Sequence, residues 1–162
     1  MPAFPRLSAL LLLTALLAAP ASARLGESLA EISQRFGKPL SQTAKDNASW
    51  LFEVVDGAVL YSVTFDPEGR SIAEGLKPVK RALFTRKTAL TFIEGQLVPF
   101  EDSPTKRIVP AGEKYRFAGK EFTCGQDEHV VLDEPRGLLL VWSQGREPAV
   151  MVLSPAMFHR GK

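Results

Sequence analysis

Three neighbouring side chains have the types needed for nucleophilic chemistry. Cys124, Asp127 and His129 are a thiol, a carboxylate and an imidazole within six residues of one another. A thiol becomes a reactive thiolate when an imidazole lies beside it and a third group orients that imidazole. Such partners commonly come from distant parts of a chain, whereas these three flank one predicted turn. Cys124 also shares strand parity with Phe122, which favours a small buried side chain. We therefore prefer a structural cysteine, and a small thiol-dependent hydrolase using Cys124 and His129 remains the alternative.

Metal and nucleotide motifs are missing from the sequence. His129 and His159 are the only histidines, and no paired ligand spacing such as C-x-x-C or H-x-x-x-H occurs. No glycine-rich loop precedes a predicted helix in a phosphate-binding pattern. We expect no catalytic residue, metal or cofactor.

A basic segment between residues 77 and 87 is the most pronounced local charge. It contains Lys77, Lys80, Arg81, Arg86 and Lys87. Such a run is commonly a solvated connector, which is the reading we prefer. As a binding surface it would instead meet anionic lipid head groups, another polyanion or an acidic protein surface, so these five residues are the candidate binding surface.

The segment 25–39 predicts the first helix. Ser28 and Glu31 have the form of a capping box, in which each side chain accepts a backbone N–H of the first turn. Gly37 favours the end of the helix, and Pro39 blocks its continuation. The apolar residues form one helical stripe: Leu25, Leu29, Ile32 and Phe36. A short helix with one apolar stripe needs a sheet to pack on.

Most of the remaining chain predicts strands joined by short turns. Trp50–Val55 and Ala58–Phe65 flank Asp56 and Gly57, a pair that tolerates the positive φ of a tight hairpin turn. The other predicted strands are 70–77, Lys114–Phe117, Glu121–Cys124, His129–Asp133, Leu138–Trp142 and Ala149–Leu153.

The connecting segments complete the predicted order. Ser41–Asn47 predicts a loop, and a second helix is expected at about Thr88–Gln96. Pro99–Gly112 contains three prolines and predicts a long loop. Leu138–Trp142 is apolar without alternation, so we expect it to be a central strand covered on both faces. Residues 154–159 predict a short helical turn.

These elements predict an α+β fold. Two short helices would pack on one or more antiparallel sheets, in helix–meander–helix–meander order. The order also suggests two diverged halves, 24–80 and 81–162, within a single domain that spans 24–162.

The first 23 residues predict an export signal. Arg6 supplies a positive charge, Leu7–Ala19 is an apolar run, and Ala21-Ser22-Ala23 is a small-x-small cleavage site. The run is shorter than the roughly 20 apolar residues that span a bilayer. We expect cleavage after Ala23 and a periplasmic or extracellular mature protein, without a lipid anchor because no cysteine stands at the cleavage point.

The composition of the mature chain excludes several classes of protein. Loss of Arg6 lowers Lys+Arg from 20 to 19 against 18 Asp+Glu, a net charge of +1. A nearly neutral chain gives no electrostatic argument for nucleic acid. The single cysteine excludes an internal disulfide framework, and no second apolar run is long enough to span a membrane.

The first half contains four short motifs: Gly26-x-Ser28-x-x-Glu31-Ile32, Phe36-Gly37-Lys38-Pro39, Trp50-Leu51-Phe52 and Val63-Thr64-Phe65-Asp66 with Gly69 after it. These motifs resemble the opening of the SmpA/BamE-like family, which is similar also to β-lactamase-inhibitor-type domains. The resemblance covers about Gly26–Pro78 and implies a small envelope module that binds other proteins and is not an enzyme. The outer-membrane assembly members carry a lipid-modified cysteine that this chain lacks, and the chain from about Lys80 has no counterpart.

We therefore expect an exported, non-catalytic module that binds another protein or assists envelope assembly. The thiol-dependent hydrolase and binding of anionic lipid or polyanion through residues 77–87 are the alternatives.

Overall fold

The computed structural model describes residues 25–43, 46–54, 57–79, 84–96 and 106–159. Within these ranges the backbone forms ten strands, two α-helices and two short 3-10 turns. The helices are α1 (Leu29–Phe36) and α2 (Arg86–Gln96), and the 3-10 turns are Glu134–Arg136 and Pro155–Phe158. The strands are β1 (Ser41–Thr43), β2 (Asn47–Val54), β3 (Gly57–Phe65), β4 (Ser71–Pro78), β5 (Lys106–Val109), β6 (Lys114–Phe117), β7 (Lys120–Thr123), β8 (Glu128–Asp133), β9 (Leu138–Ser143) and β10 (Ala149–Leu153).

Eight of the strands form one antiparallel sheet in the order β1-β2-β3-β4-β10-β9-β8-β5. The remaining two, β6 and β7, form a separate hairpin. The last strand, β10, lies in the middle of the large sheet, where Val150 is opposite Leu76 of β4 and Trp142 of β9. The β4–β10 pair therefore joins the first part of the sheet to the second.

The predicted α+β class is wrong, because the structure is mainly β. The large sheet dominates the described residues, so two short helices packed on meanders do not describe the fold. Two strands were missed because they lie in polar or proline-flanked segments that predicted loops. β1 lies in the predicted loop Ser41–Asn47, and β5 lies within Pro99–Gly112. One side of the sheet is also covered in part by the β6–β7 hairpin.

The two faces of the large sheet pack against different elements. One face, which we call the helix face, packs against apolar residues of α1 and α2, including Ile32 and Ala89. The opposite face of β5, β8 and β9 packs against the β6–β7 hairpin through Tyr115 and Phe117. Alternate residues of a strand point to opposite faces, so Val131 belongs to the helix face while Val130 belongs to the hairpin face.

The predicted capping box of α1 is confirmed. The Ser28 hydroxyl accepts the N–H of Glu31, and the Glu31 carboxylate accepts the N–H of Ser28 at 2.7 Å. Gly37 ends the helix with a φ of 78°. The carbonyl of Gly37 then accepts a hydrogen bond from the Trp50 indole at 2.9 Å, which ties the end of α1 to β2. Ile32 is fully buried in the centre of the predicted stripe.

Several other local predictions are also confirmed. β2 and β3 pair as a hairpin in which Val54 is opposite Gly57, although Asp56 of the predicted turn lies outside the described residues. The apolar strand β9 lies inside the sheet and is buried on both faces. The second helix begins at Arg86, two residues before its predicted start.

Candidate functional site

The structure does not bring Cys124 and His129 together. Cys124 packs with Val130 on the hairpin face, whereas His129 lies on the helix face with its ring stacked on Trp142 at a centroid distance of 4.9 Å. The side chain of Cys124 is buried, and its Sγ lies 3.6 Å from the carbonyl oxygen of Val109. Burial raises the pKa of the Cys124 thiol, with a smaller contribution from the charge of Glu128. Both effects favour the neutral thiol, which is the unreactive form.

The described residues contain no group of three or more His, Cys, Asp and Glu side chains that could hold a metal ion. Asp127 is exposed within the β7–β8 connection, and its carbonyl accepts the N–H of Gln144. His159 is exposed at the end of the last 3-10 turn, where its N–H bonds to the Ala156 carbonyl. Asp127 and His159 are therefore both held by backbone hydrogen bonds of the connections in which they lie.

The described residues of the candidate basic surface lie on two sides of the sheet. Lys77 is exposed on β4, and its neighbour Leu76 lies in the core of the helix face, so Lys77 points to the other side of the sheet. Arg86 and Lys87 are exposed in the first turn of α2. Lys80 and Arg81 lie outside the described residues. The described members of this surface are therefore divided between two places on the fold.

An open groove of about 620 Å³ lies on the helix face, between the start of α2 and strand β5. Its floor consists of two cross-strand pairs of β8 and β9, His129 opposite Trp142 and Val131 opposite Leu140. Its volume lies in the range of small-molecule and peptide pockets. The described residues that line the groove are Phe84, Arg86, Leu90, Ile108, His129, Val131, Leu140, Trp142, Gln144 and Pro148.

The walls of the groove are apolar and come from separate elements. Leu90 of α2 and Phe84 just before this helix form one wall, and Ile108 of β5 forms the other. The side chain of Ile108 is 67% exposed, which is unusual for an isoleucine on a sheet strand. An exposed apolar side chain beside a concave apolar surface is typical of a binding site.

Few of the described residues that line the groove carry polar groups. Arg86 supplies a permanent positive charge at the α2 side. The amide nitrogen of Gln144 lies 3.2 Å from Nε2 of His129 and can donate a hydrogen bond to the ring, which orients the imidazole over Trp142. Among the described lining residues none is acidic. The groove is therefore suited to an apolar ligand that also carries a negative charge.

Most groove residues were missed in the sequence. The alternation in β8 and β9 places His129 with Val131, and Leu140 with Trp142, on the same face of their strands. This alternation could have predicted from the sequence that these four residues lie together on one face and form the floor of the groove. Nothing local to Ile108 or Leu90 indicates that they lie on either side of the same floor.

No protein-family model and no curated protein sequence matches this chain. Among solved structures, the chain is similar to the crystal structure of a DUF4309 family protein (YjgB) from Bacillus subtilis subsp. subtilis str. 168. The two share 15% sequence identity over 79% of this chain and 78% of that chain, with a TM-score of 0.38. At this TM-score the similarity carries no argument about the fold or the groove. The resemblance of the first half to the SmpA/BamE-like family stays a prediction.

No helix within the described ranges is both long enough and apolar enough to cross a membrane.

Proposed function

We propose that this chain is an exported, non-catalytic binding module that holds a segment of another protein in the groove between α2 and β5. The observation that carries this proposal is the groove itself. It is open to solvent, has an apolar floor of packed strand residues, and presents Ile108 at 67% exposure on one wall. A surface of this kind gains free energy when a partner covers it, because apolar area leaves water.

The geometry gives less support to the thiol-dependent hydrolase. The only thiol of the chain is buried on the hairpin face, and the sheet separates it from His129. The described lining residues include no serine, threonine or cysteine, so the chemistry of this lining favours recognition over catalysis.

Export is supported by the leader at residues 1–23, which lies outside the described residues. The test is the mass of the mature protein after expression of the full chain in a bacterial host. We expect a periplasmic or extracellular species that begins at Arg24. Cytoplasmic protein that retains Met1–Ala23 would contradict export.

The binding test uses a library of linear peptides displayed on phage and two matched variants of the purified mature protein. Ile108→Glu places a charge in the wall of the groove. Leu40→Glu makes the same change at a side chain that is also 67% exposed, but next to β1 at the opposite edge of the sheet. Because both side chains are largely exposed, neither substitution should unfold the protein.

We expect the unsubstituted protein and Leu40→Glu to enrich the same peptides, and Ile108→Glu to lose that enrichment. Equal enrichment by all three proteins would place peptide binding elsewhere on the surface. No enrichment by the unsubstituted protein would argue against a peptide-binding groove.

A further inference from the structure

We propose that two copies of this chain pair face to face through an exposed part of the large sheet, on the side opposite the groove. This part consists of the residues of β2, β3, β4 and β10 that point away from the helices, and we call it the open face. On the same side of the sheet, the β6–β7 hairpin packs on β5, β8 and β9. The open face therefore lies beside the hairpin, and its apolar side chains are exposed.

The register of the strands determines which residues belong to the open face. Trp50 and Tyr61 lie in the core of the helix face. Their neighbours Leu51 and Leu60 are opposite one another and point to the other side of the sheet, because alternate residues of a strand point to opposite faces. Leu60 is in turn opposite Lys77 of β4. These three residues form one row of the open face.

A second row brings β10 into the open face. Gly75 of β4 is opposite both Ser62 of β3 and Met151 of β10. Met151 is also opposite Val141, which packs with the β6–β7 hairpin, so this row lies on the same side of the sheet. A Cβ atom at Gly75 would be only 3.4 Å from Cγ of Met151. The Met151 side chain therefore extends over the glycine and adds apolar surface toward β4.

The apolar side chains of the open face are more exposed than is usual on a sheet. Among the described residues five large apolar side chains are prominently exposed, and three of them lie here, from Met151 at 37% to Val79 at 56%, with Leu51 between them. Val79 is two residues beyond Lys77, and its N–H bonds to the Ala58 carbonyl of β3. Single exposed apolar residues are ordinary, whereas neighbouring ones mark an interaction surface.

Two charged residues of opposite sign flank the apolar centre, and they favour a second copy as the partner. Glu53 of β2 is opposite Ala58 of β3, whereas Lys77 is on β4, on the other side of β3. Both side chains are exposed, and none of the ion pairs between described residues involves either. A surface with both signs is complementary to another copy of itself, whereas an anionic lipid surface would be repelled by Glu53.

A two-fold axis along β3, between two stacked sheets, brings the opposite charges together. Such an axis places β2 of one copy over β4 of the other, and Leu60 over the same residue of the second copy. Glu53 of each copy is then offset from Lys77 of the other by about 7 Å along the strand, which the flexible lysine side chain can span. The symmetry makes this contact twice.

The size of the open face indicates a reversible dimer. Four strands about 4.8 Å apart, over about 20 Å of their length, give a flat area of roughly 400 Å² per copy. This area is at the small end for specific interfaces, so we expect a Kd on the order of micromolar. The groove lies on the opposite face of the sheet, so pairing leaves it exposed in both copies. A dimer would therefore present two grooves.

The test is sedimentation equilibrium of the purified mature protein and its charge variants, from about 1 to 300 µM. Lys77→Glu and Glu53→Lys each replace two attractive contacts of the dimer by two repulsive ones, so each should raise the Kd at least about tenfold. Lys87→Glu is the control, because it makes the same change at an exposed residue of α2, on the other side of the sheet. All three positions are exposed, so the circular dichroism of the variants should match that of the unsubstituted protein.

Mixing the two open-face variants is the decisive measurement. An equimolar mixture of Lys77→Glu and Glu53→Lys should form a mixed dimer, because both charge contacts become attractive again. The double variant should pair with itself for the same reason. This restoration requires that the two positions meet across the interface.

Three results would overturn this proposal. The first is a monomer at every concentration; if that monomer sediments with phosphatidylglycerol vesicles and Lys77→Glu does not, the open face binds lipid instead. The second is a dimer that all variants form equally well, which would place the interface elsewhere. The third is loss of pairing in both single variants without restoration on mixing, which would exclude the two-fold contact. Peptide selection by the groove is measured separately, so none of these results decides the proposed function.

Discussion

At the scale of single residues, the carboxylate of Glu74 is a charged group buried in the core. It is 1% exposed in the centre of the sheet, on the helix face. The Tyr61 hydroxyl donates a hydrogen bond to it at 2.9 Å, and the Ser71 hydroxyl donates another at 3.1 Å. The Ser71 oxygen in turn accepts the backbone N–H of Gly26, just before α1. Glu74 thus connects the middle of the sheet to the segment that leads into α1.

Removing the Tyr61 hydroxyl tests this arrangement. Tyr61→Phe keeps the ring contacts but takes one donor from a buried carboxylate, so we expect the free energy of unfolding to fall by about 1.5–3 kcal/mol. Tyr115→Phe is the matched control, because no carboxylate is bonded to the Tyr115 hydroxyl among the described contacts. Urea denaturation monitored by circular dichroism gives both values. A loss of the same size in the two variants would show that the hydrogen bond to Glu74 contributes no more to stability than the hydroxyl of Tyr115.

The raised pKa of Tyr61 predicts that the protein loses stability in alkali. Burial raises the pKa of Tyr61 well above its usual value of 10.0, and the neighbouring charge of Glu74 raises it further. Below pH 10 the phenol is neutral in both folded and unfolded chains, so stability does not depend on it. Above pH 10 only the unfolded chain releases the proton, and this group lowers stability by up to about 1.4 kcal/mol per pH unit. Denaturation at several alkaline pH values should show a shallower slope for Tyr61→Phe.

Cys124 is the residue for which the sequence offered a structural and a catalytic interpretation, and its burial agrees with the structural one. Because its pKa is raised and its Sγ is enclosed, we expect iodoacetamide to label the native protein far more slowly than the protein in urea. Cys124 is the only cysteine, so the mass change reports this thiol alone. Labelling at the same rate in both conditions would mean that the thiol is open to solvent.

At the scale of elements, α1 shows how strongly adjacent residues determine a local structure. All the groups of its capping box lie within residues 28–31, and Glu31 is also bonded to Arg70 at 3.1 Å. The backbone N–H of Ser28 is the main cause of the lowered pKa of Glu31, followed by the Ser28 side chain. A lowered carboxyl pKa means that this contribution to stability is lost as the pH falls below about 4.5 through the folded-state pKa.

Ser28→Ala removes the acceptor for the N–H of Glu31. We expect the free energy of unfolding at neutral pH to fall by about 1 kcal/mol, the usual effect of losing a Ser cap. Ser62→Ala, at an exposed position of β3, is a control that should change stability little. An unchanged unfolding midpoint for Ser28→Ala would indicate that the capping box contributes little and that packing and the other contacts of α1 hold it in place.

The strands show why the fold class was harder to predict than α1. Turn residues identified the β2–β3 hairpin, because its two strands are adjacent in sequence. The pairing of β4 with β10 joins residues more than 70 positions apart, and no local pattern encodes it. β5 has four residues between proline-containing segments, too few for alternation to stand out. The sequence therefore predicted meanders but left open whether their strands join in one sheet.

At the scale of the whole molecule, the groove could not be predicted because the elements that form it are far apart in the sequence. Its walls come from α2 and β5, and its floor comes from β8 and β9. Alternation predicts which face His129 and Val131 share. Only the assembled sheet determines that Leu90 and Ile108 flank them. Side-chain chemistry could be assessed residue by residue, whereas the concave shape depends on tertiary packing.

The sheet also determines how the two parts of the chain should unfold. Residues before and after α2 share one core on the helix face, in which Trp50 and Tyr61 belong to the first part and Leu140 and Trp142 to the second. The seam between β4 and β10 places Val152, which is fully buried, opposite Glu74. Neither part can be separated without exposing this shared core. We therefore expect one cooperative unfolding transition and no stably folded half.

The chain has two tryptophans, one in each part, and they allow this prediction to be measured. Trp142→Phe leaves Trp50 as the only indole, and Trp50→Phe leaves Trp142. Within each variant the fluorescence midpoint in urea should equal the midpoint from far-UV circular dichroism, because both probes report a single transition. Val152→Ala at the seam should lower stability by about 2 kcal/mol and move the two midpoints together in either background. If Trp50 and Trp142 instead report different midpoints relative to circular dichroism, the seam does not couple the two parts, and each part has enough core of its own to fold separately.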